Sequence, residues 1–246
     1  MKHNTGNVSK QIRISSINRY RCVTALVLFL FLHGTSAVIL EIPLEGNLVG
    51  EVEYASPEPG ETLSEVGLRY DIGYEEMVKA NPGIDQTHPL SQQLRLLIPS
   101  RFTLPSGPRH GLVIQKSAYR LFYFPETEDL VMTYPVGIGR KGWETPLGKT
   151  SIIAKQTNPT WRPSAHLQEE ALKNGQMLPA EFPSNKENPL GQQVLRLGWP
   201  TYLIHGSPHP EGIGRPISAG CIRMLEEDMA SLFSEVHVGT SVRVEK

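Results

Sequence analysis

From His110 onward, glycine, proline and asparagine cut the sequence every few residues into short β-like runs, and this punctuation limits the fold more than any other feature. Leu112-Val113-Ile114, Tyr119-Arg120-Leu121-Phe122-Tyr123, Leu130-Val131-Met132-Thr133-Tyr134 and Ser151-Ile152-Ile153 are too short for buried helices and rich in branched or aromatic residues. Such runs between frequent turns predict a mainly β domain over 110–246, a β-sandwich or barrel-like sheet. The 22 glycines and 20 prolines of the whole chain point the same way. Helix candidates in this half are 166–174 and 228–233.

Residues 50–100 carry a different pattern. Thr62-Leu63-Ser64-Glu65 fits a capping box, in which threonine and glutamate satisfy each other's free amides at a helix start. Leu63, Val66 and Tyr70 follow at helical spacing before Asp71-Ile72-Gly73. A second short helix turns Tyr74, Met77 and Val78 inward and stops at Asn81-Pro82-Gly83. With Leu94–Ile98 as a strand, the expected order is strand, helix, helix, strand: a small βααβ module after an N-terminal segment, 38–49. Pro105, Gly107 and Pro108 give 101–109 the composition of a linker.

The amino end reads as a targeting segment. Lys2, Lys10, Arg13, Arg19 and Arg21 precede the first acidic residue, Glu41. They lead into the apolar run 23–32 and then Thr35-Ser36-Ala37, a small-residue cleavage site. A run of that length falls short of the roughly 20 residues that span a bilayer. A signal peptide over 1–37 is therefore expected, leaving no stable membrane span, with an uncleaved anchor as the alternative because 38–40 prolongs the apolar stretch. Lys+Arg 24 against Asp+Glu 25 gives no basic excess to attract nucleic acid. Cys22 would leave with the signal, so Cys221 would stand alone, and a lone thiol in an exported chain is either buried and inert or kept for its reactivity.

The densest chemical signal is the run from Ile204 to Met224, IHGSPHPEGIGRPISAGCIRM. The Ser218-Ala219-Gly220-Cys221 turn leaves little bulk around the sulfur, a histidine upstream can accept its proton, and Arg223 adds a fixed positive charge. His205-Gly206, Gly214 and Ser218-x-Gly220-Cys221-Ile222-Arg223-Met224 together resemble the L,D-transpeptidases of the YkuD family, which remodel bacterial peptidoglycan. Thr145-Pro146-Leu147-Gly148 resembles that family's TPxG turn, and Asn158-Pro159-Thr160-Trp161 and Asn188-Pro189-Leu190-Gly191 two of its loop motifs. Ala219 stands where many relatives have a second histidine, so His205 alone occupies a family base position, a subfamily variation. The run from Gly60 to Leu63, with Tyr70 and Ala80-Asn81-Pro82-Gly83, resembles a LysM module, a fold associated with glycans containing N-acetylglucosamine; a spacer without sugar affinity is the alternative.

The resemblance implies roles for single residues. Cys221 would be the nucleophile and His205 its general base, oriented by the Gly206 carbonyl. Amides near Gly220 and Cys221 would form an oxyanion hole, with Ser218 bonding within the turn. Arg223 either steers substrate carboxylates or supports the turn through carbonyl contacts; Trp161 and Tyr202 either line a substrate wall or are simply buried. His209 is read as a loop residue, because Gly206-Ser207-Pro208 breaks any helix that would pair it with His205 around zinc; no metal site or cofactor is expected. The implied reaction is attack on a tetrapeptide stem, release of D-alanine and acyl transfer to an amine, giving 3→3 cross-links or attaching an envelope lipoprotein. The expected partners are peptidoglycan stem peptides and glycan, and the expected location is the periplasm or cell envelope. A non-catalytic peptidoglycan-binding protein and a thiol L,D-carboxypeptidase are the alternatives.

Overall fold

A computed structural model of the protein describes residues 38–246; the expected signal segment 1–37, with Cys22, lies outside the described residues. Strands β1 (Val38–Glu41), β2 (Leu48–Gly50) and β3 (Glu53–Ala55) precede helices α1 (Leu63–Arg69) and α2 (Tyr74–Ala80) and strands β4 (Leu96–Ile98) and β5 (Arg101–Thr103). The expected β-rich half holds β6 (Gly111–Gln115), β7 (Arg120–Phe124), β8 (Leu130–Pro135), β9 (Ile138–Gly139), β10 (Gly148–Thr157), α3 (Ala165–Lys173), β11 (Gln193–Leu197), β12 (Leu203–Ser207), β13 (Pro216–Ser218), β14 (Ile222–Leu225), α4 (Glu226–Glu235) and β15 (Ser241–Glu245). The fold is mainly β, as the turn punctuation predicts.

One nine-stranded sheet in the order β1-β8-β7-β6-β15-β10-β11-β12-β14 carries this half. Most pairs are antiparallel; β6 with β15 and β12 with β14 are parallel. The long β10 curls the sheet, pairing with β15 through Gly148–Ser151 and with β11 through Ile152–Thr157, with a register shift between Ile152 and Ala154. A shift of this kind bends a strand and increases its twist. Helix α4 packs into the curl against β11, β12 and β14, where Met229 and Leu232 join Leu195, Ile204, Ile222 and Met224 in the main core.

The βααβ order appears as expected, and the Thr62–Glu65 capping box opens α1. Residues 48–104 do not hang from a linker. Val113, Phe122, Phe124 and Val131, on the outer face of β6–β8, share one apolar cluster with Val49, Leu63, Val66, Met77 and Phe102. The inner face of the same strands, with Leu112, Ile114, Leu121 and Tyr134, belongs to the main core. Covered on both faces, β7 after Arg120 reads as a continuous apolar run, Leu121–Phe124, rather than an alternating one. The segment with linker composition begins with β5, which pairs with β2 and buries Phe102 and Leu104; only the Pro-Gly-Pro stretch after it behaves as a connector. Val38–Glu41, read only as a preceding segment, adds β1 to the edge of the main sheet.

Arg120, 1% exposed, fixes this docking. Its guanidinium pairs with Glu76 at 2.7 and 2.9 Å, donates to the Asp71 carbonyl at 2.7 Å and to Thr133 Oγ1 at 3.1 Å, and lies over the Phe102 ring.

A second feature of the junction opposes docking. Asp228 of α4 is fully buried, and neither carboxylate oxygen has a hydrogen-bond partner among the described residues. Burial, reinforced by the nearby charges of Asp71 and Glu227, pushes its pKa up to about 8. Burial likewise raises Asp71 to about 6, against the pull of Arg120. Carboxyls whose pKa is raised by folding leave the fold undisturbed below pH 4 and weaken it as pH climbs toward 8, where the folded state must hold the charge. Asp228→Asn is therefore expected to raise the melting temperature by several degrees at pH 8 and to change it little at pH 4. Equal shifts at the two pH values would show that this carboxyl does not oppose docking.

Candidate active site

Parallel pairing of β12 and β14 builds the site. The register sets Ile204 opposite Ile222 and His205 opposite Arg223. Alternation sends Ile204, Ile222 and Met224 into the core beneath α4 and places His205, Arg223 and Cys221, one residue before β14, on the opposite face. Two parallel strands need a long crossover. Here it is the irregular segment from Pro208 to Cys221, which contains a 3-10 turn at Pro210–Gly212 and the short strand β13, paired with β9.

His205 is 3% exposed, and its Nδ1 donates to the Gly206 carbonyl at 2.6 Å, leaving Nε2 as the unprotonated nitrogen. Burial, with a smaller contribution from the positive Arg223, lowers its pKa to about 4, against the Gly206 hydrogen bond. A Cβ on Gly206 would meet the Glu226 carboxylate at 2.8 Å, so a side chain there would have to displace that carboxylate. Cys221 is half-buried, packs with Trp161 against Leu190, Val194 and Leu203, and directs its thiol to the Thr201 carbonyl at 3.7 Å. Burial pushes the thiol pKa up, while the Leu203 backbone hydrogen bond and the Arg223 charge pull it down. Both shifts favour the neutral forms, thiol and imidazole.

The turn before Cys221 is tightly held. Ser218 Oγ accepts from the Gly220 amide at 3.1 Å and donates to the Cys221 carbonyl at 2.6 Å. Thr145, from the Thr-Pro-Leu-Gly motif, donates its hydroxyl to the Gly220 carbonyl at 2.8 Å and accepts from the Gly139 amide at 3.0 Å. Gly220 has φ of 105°, a conformation open to glycine, with Tyr202 lying against it. The Gly220 amide points at Ser218 rather than outward, so of the two amides expected to hold an oxyanion only that of Cys221 is left for the task.

A cavity of about 320 Å³ beside the turn is lined by Arg140, Trp161, Leu167, Glu170, His209 and Arg223 among others, but not by Cys221 or His205. Arg223 Nε is buried without a hydrogen-bond partner among the described residues, so the expected alternative of turn support through carbonyls is not what this nitrogen does. Trp161 lines the cavity and packs against Phe182. Tyr202 instead meets the edge of Trp199 and is absent from the lining. His209 is exposed and faces Glu211 at 3.5 Å. Arg140, invisible to motif reading, pairs with Glu170 of α3 at 2.6 Å and lies over Trp143, whose ring stacks on His166. Asn188, fully buried, ties its loop together by donating to the carbonyls of Pro159 and Pro183 and accepting from the Leu190 amide.

The sequence as a whole matches known proteins over the same region. The YkuD family model, the L,D-transpeptidase catalytic domain, matches residues 109–244. The Escherichia coli (strain K12) protein named Probable L,D-transpeptidase YcfS is 36% identical over 229 residues, covering 87% of this chain and 71% of that protein. Probable L,D-transpeptidase ErfK/SrfK of Salmonella typhimurium is 38% identical, covering 86% and 69%. Its Escherichia coli (strain K12) namesake is 36% identical, covering 93% and 74%. A solved L,D-transpeptidase of Enterococcus faecium aligns at 20% identity with a TM-score of 0.44, over 56% of this chain and 50% of that one. With more than half of the chain matched by the family model and identities above one third across most of its length, the protein belongs to the YkuD family of L,D-transpeptidases.

Proposed function

We propose that this enzyme uses Cys221 to attack the carbonyl that joins the third residue of a tetrapeptide stem to its terminal D-alanine. The pairing of β12 with β14, which sets His205 and the turn bearing Cys221 on one face, carries this reading. The thiol proton passes to His205 Nε2 as the sulfur–carbon bond forms, the Cys221 amide receives the developing oxyanion, and the imidazolium then protonates the departing amine. The product is a thioester on Cys221 and free D-alanine. An amine resolves it, either from the third residue of another stem, giving a 3→3 cross-link, or from a lysine of an envelope lipoprotein. Arg223 and Arg140 at the cavity supply positive charge for the stem's carboxylates.

A tetrapeptide stem mixed with the protein in the absence of an amine acceptor is expected to add the mass of the donor less D-alanine, and peptide mapping should place the adduct on Cys221. Cys221→Ser should form none. His205→Ala should slow adduct formation about 100-fold or more, the scale of losing a general base, whereas His209→Ala should cost far less. A larger loss with His209→Ala would move the proton-transfer role there, and an adduct on another residue would end the cysteine reading.

The raised thiol and lowered imidazole imply a further measurable property. Alkylation of Cys221 by iodoacetamide without substrate should keep accelerating as pH passes the ordinary thiol value near 8.5. A plateau between pH 5 and 7, the mark of a preformed thiolate–imidazolium pair, would contradict the resting state assigned here.

Location and wall affinity belong to the same proposal. The basic and apolar amino end directs export, with processing near Ala37, and the βααβ module adds LysM-like affinity for the glycan strands. Among the described residues no helix is long and apolar enough to cross a membrane. Amino-terminal sequencing of the envelope form should begin near residue 38, and that form should sediment with insoluble peptidoglycan; Met1 at the terminus, or protein that stays in the supernatant, would remove the corresponding half of the proposal.

A further inference from the structure

The crossover between His205 and Cys221 has no α-helix of its own beyond the 3-10 turn at Pro210–Gly212, so most of its backbone groups must find partners elsewhere. On one side they find β9 and its neighbours: Gly214 N–H donates to the Val136 carbonyl at 3.2 Å, Ile138 N–H to the Arg215 carbonyl at 3.0 Å, and Arg140 N–H to the Ser218 carbonyl at 3.0 Å. On the other side they meet α2, outside the region matched by the family model. The first amides of a helix lack partners within it, and here Tyr74 N–H donates to the Ile213 carbonyl at 3.4 Å and Glu75 N–H to the Gly214 carbonyl at 3.3 Å. The Arg215 guanidinium then lies over the Tyr74 ring, 3.3 Å from its centroid.

Approach at this point is close enough to exclude a side chain. A Cβ on Gly73 would stand 2.9 Å from the Gly214 Cα, although the φ of Gly73, -72°, suits any residue. Gly214 has φ of 74° and packs against the backbone of Gly73 and Tyr74. The start of α2 is itself anchored: Glu76 accepts from the Gly73 amide at 3.0 Å while both its oxygens are held by Arg120.

We infer that the amino end of α2, through Gly73 and Tyr74, is a positioning element for the reaction, holding the crossover so that the turn of Ser218–Cys221 is presented correctly to His205. This rests on the reading of Cys221 and His205 given above. It assigns to the small module a part in the chemistry in addition to any affinity for the wall. Gly73 and Tyr74 touch no reacting atom; they act through Ile213, Gly214 and Arg215.

The test uses the chain as expressed, with Gly73→Ala to wedge the contact, Tyr74→Ala to remove the stacking partner of Arg215, and Tyr74→Phe to restore it. Two properties are followed: acylation of Cys221 by a tetrapeptide stem, and the pH profile of its alkylation by iodoacetamide. Gly73→Ala and Tyr74→Ala are expected to lower the acylation kcat about 10-fold or more with KM little changed, because displacement of a reacting group by even 1 Å is costly. They should also shift the alkylation profile, while circular dichroism and the melting temperature stay near those of the parent, and Tyr74→Phe should behave like the parent. An unchanged alkylation profile in Gly73→Ala would overturn the inference, as would Tyr74→Phe being no better than Tyr74→Ala. If the parent protein forms no acyl adduct, the proposed reaction fails, and the alkylation profiles still decide whether α2 sets the reactivity of Cys221.

Discussion

The buried contact of Arg120 with Glu76 is the constraint on which the rest of the molecule is arranged. A guanidinium taken out of water is tolerated only when nearly every donor is matched, and Arg120 meets that demand by drawing on a carboxylate, a carbonyl and a hydroxyl from separate elements. Because Glu76 also caps α2, the same pair that joins the two halves sets where that helix begins. Loss of one partner would leave a buried charge uncompensated, at a cost of about 3–5 kcal/mol. The uncomplemented Asp228 close by shows that the junction is not optimised for stability alone.

Local pattern made much of this fold legible. The Thr62–Glu65 box and the Asn81-Pro82-Gly83 stop mark helices that appear where they should, and the β-like runs after His110 lie in strands except for Tyr119, which closes the turn before β7 with φ of 51°. What the sequence hid was long-range. Composition marks 101–109 as a connector because Pro105, Gly107 and Pro108 dominate it, yet Phe102 needs a buried place and finds it under Arg120. The clue available was the lack of alternation in Leu121–Phe124: a strand apolar on both faces must be covered twice, and only the small module is at hand to cover the second face.

At the site, spacing singled out the candidate residues but not how their neighbours restrict them. His205 on β12 and the Ser218–Cys221 turn before β14 lie on neighbouring parallel strands, and Gly206 gives the carbonyl that sets the imidazole tautomer. Thr145 stood in a recognised motif, but its grip on Gly220 depends on two segments 75 residues apart meeting in space. Arg140 and the α2 contacts carry no sequence signal at all, since a backbone amide meeting a backbone carbonyl is indifferent to side-chain identity. The glycines are the exception: Gly73 and Gly214 mark the approach after the fact, because a carbon added at either would collide with the main chain of the other segment.

The electrostatics follow from the same burial that positions the groups. A thiolate–imidazolium pair would have to be maintained in a site that excludes water from His205 and sets the positive Arg223 opposite it in the sheet. That charge favours the thiolate but opposes the imidazolium, so it cannot stabilise both halves of the ion pair, and desolvation settles the balance toward the neutral forms. A neutral thiol reacts poorly with small electrophiles and oxidants, because the thiolate is the reactive species. The proposed reaction would then require a substrate whose carbonyl accepts electron density as the proton leaves for His205. On the proposed mechanism, such a resting state would protect Cys221 until a correctly seated stem is present, and specificity would arise at the proton-transfer step.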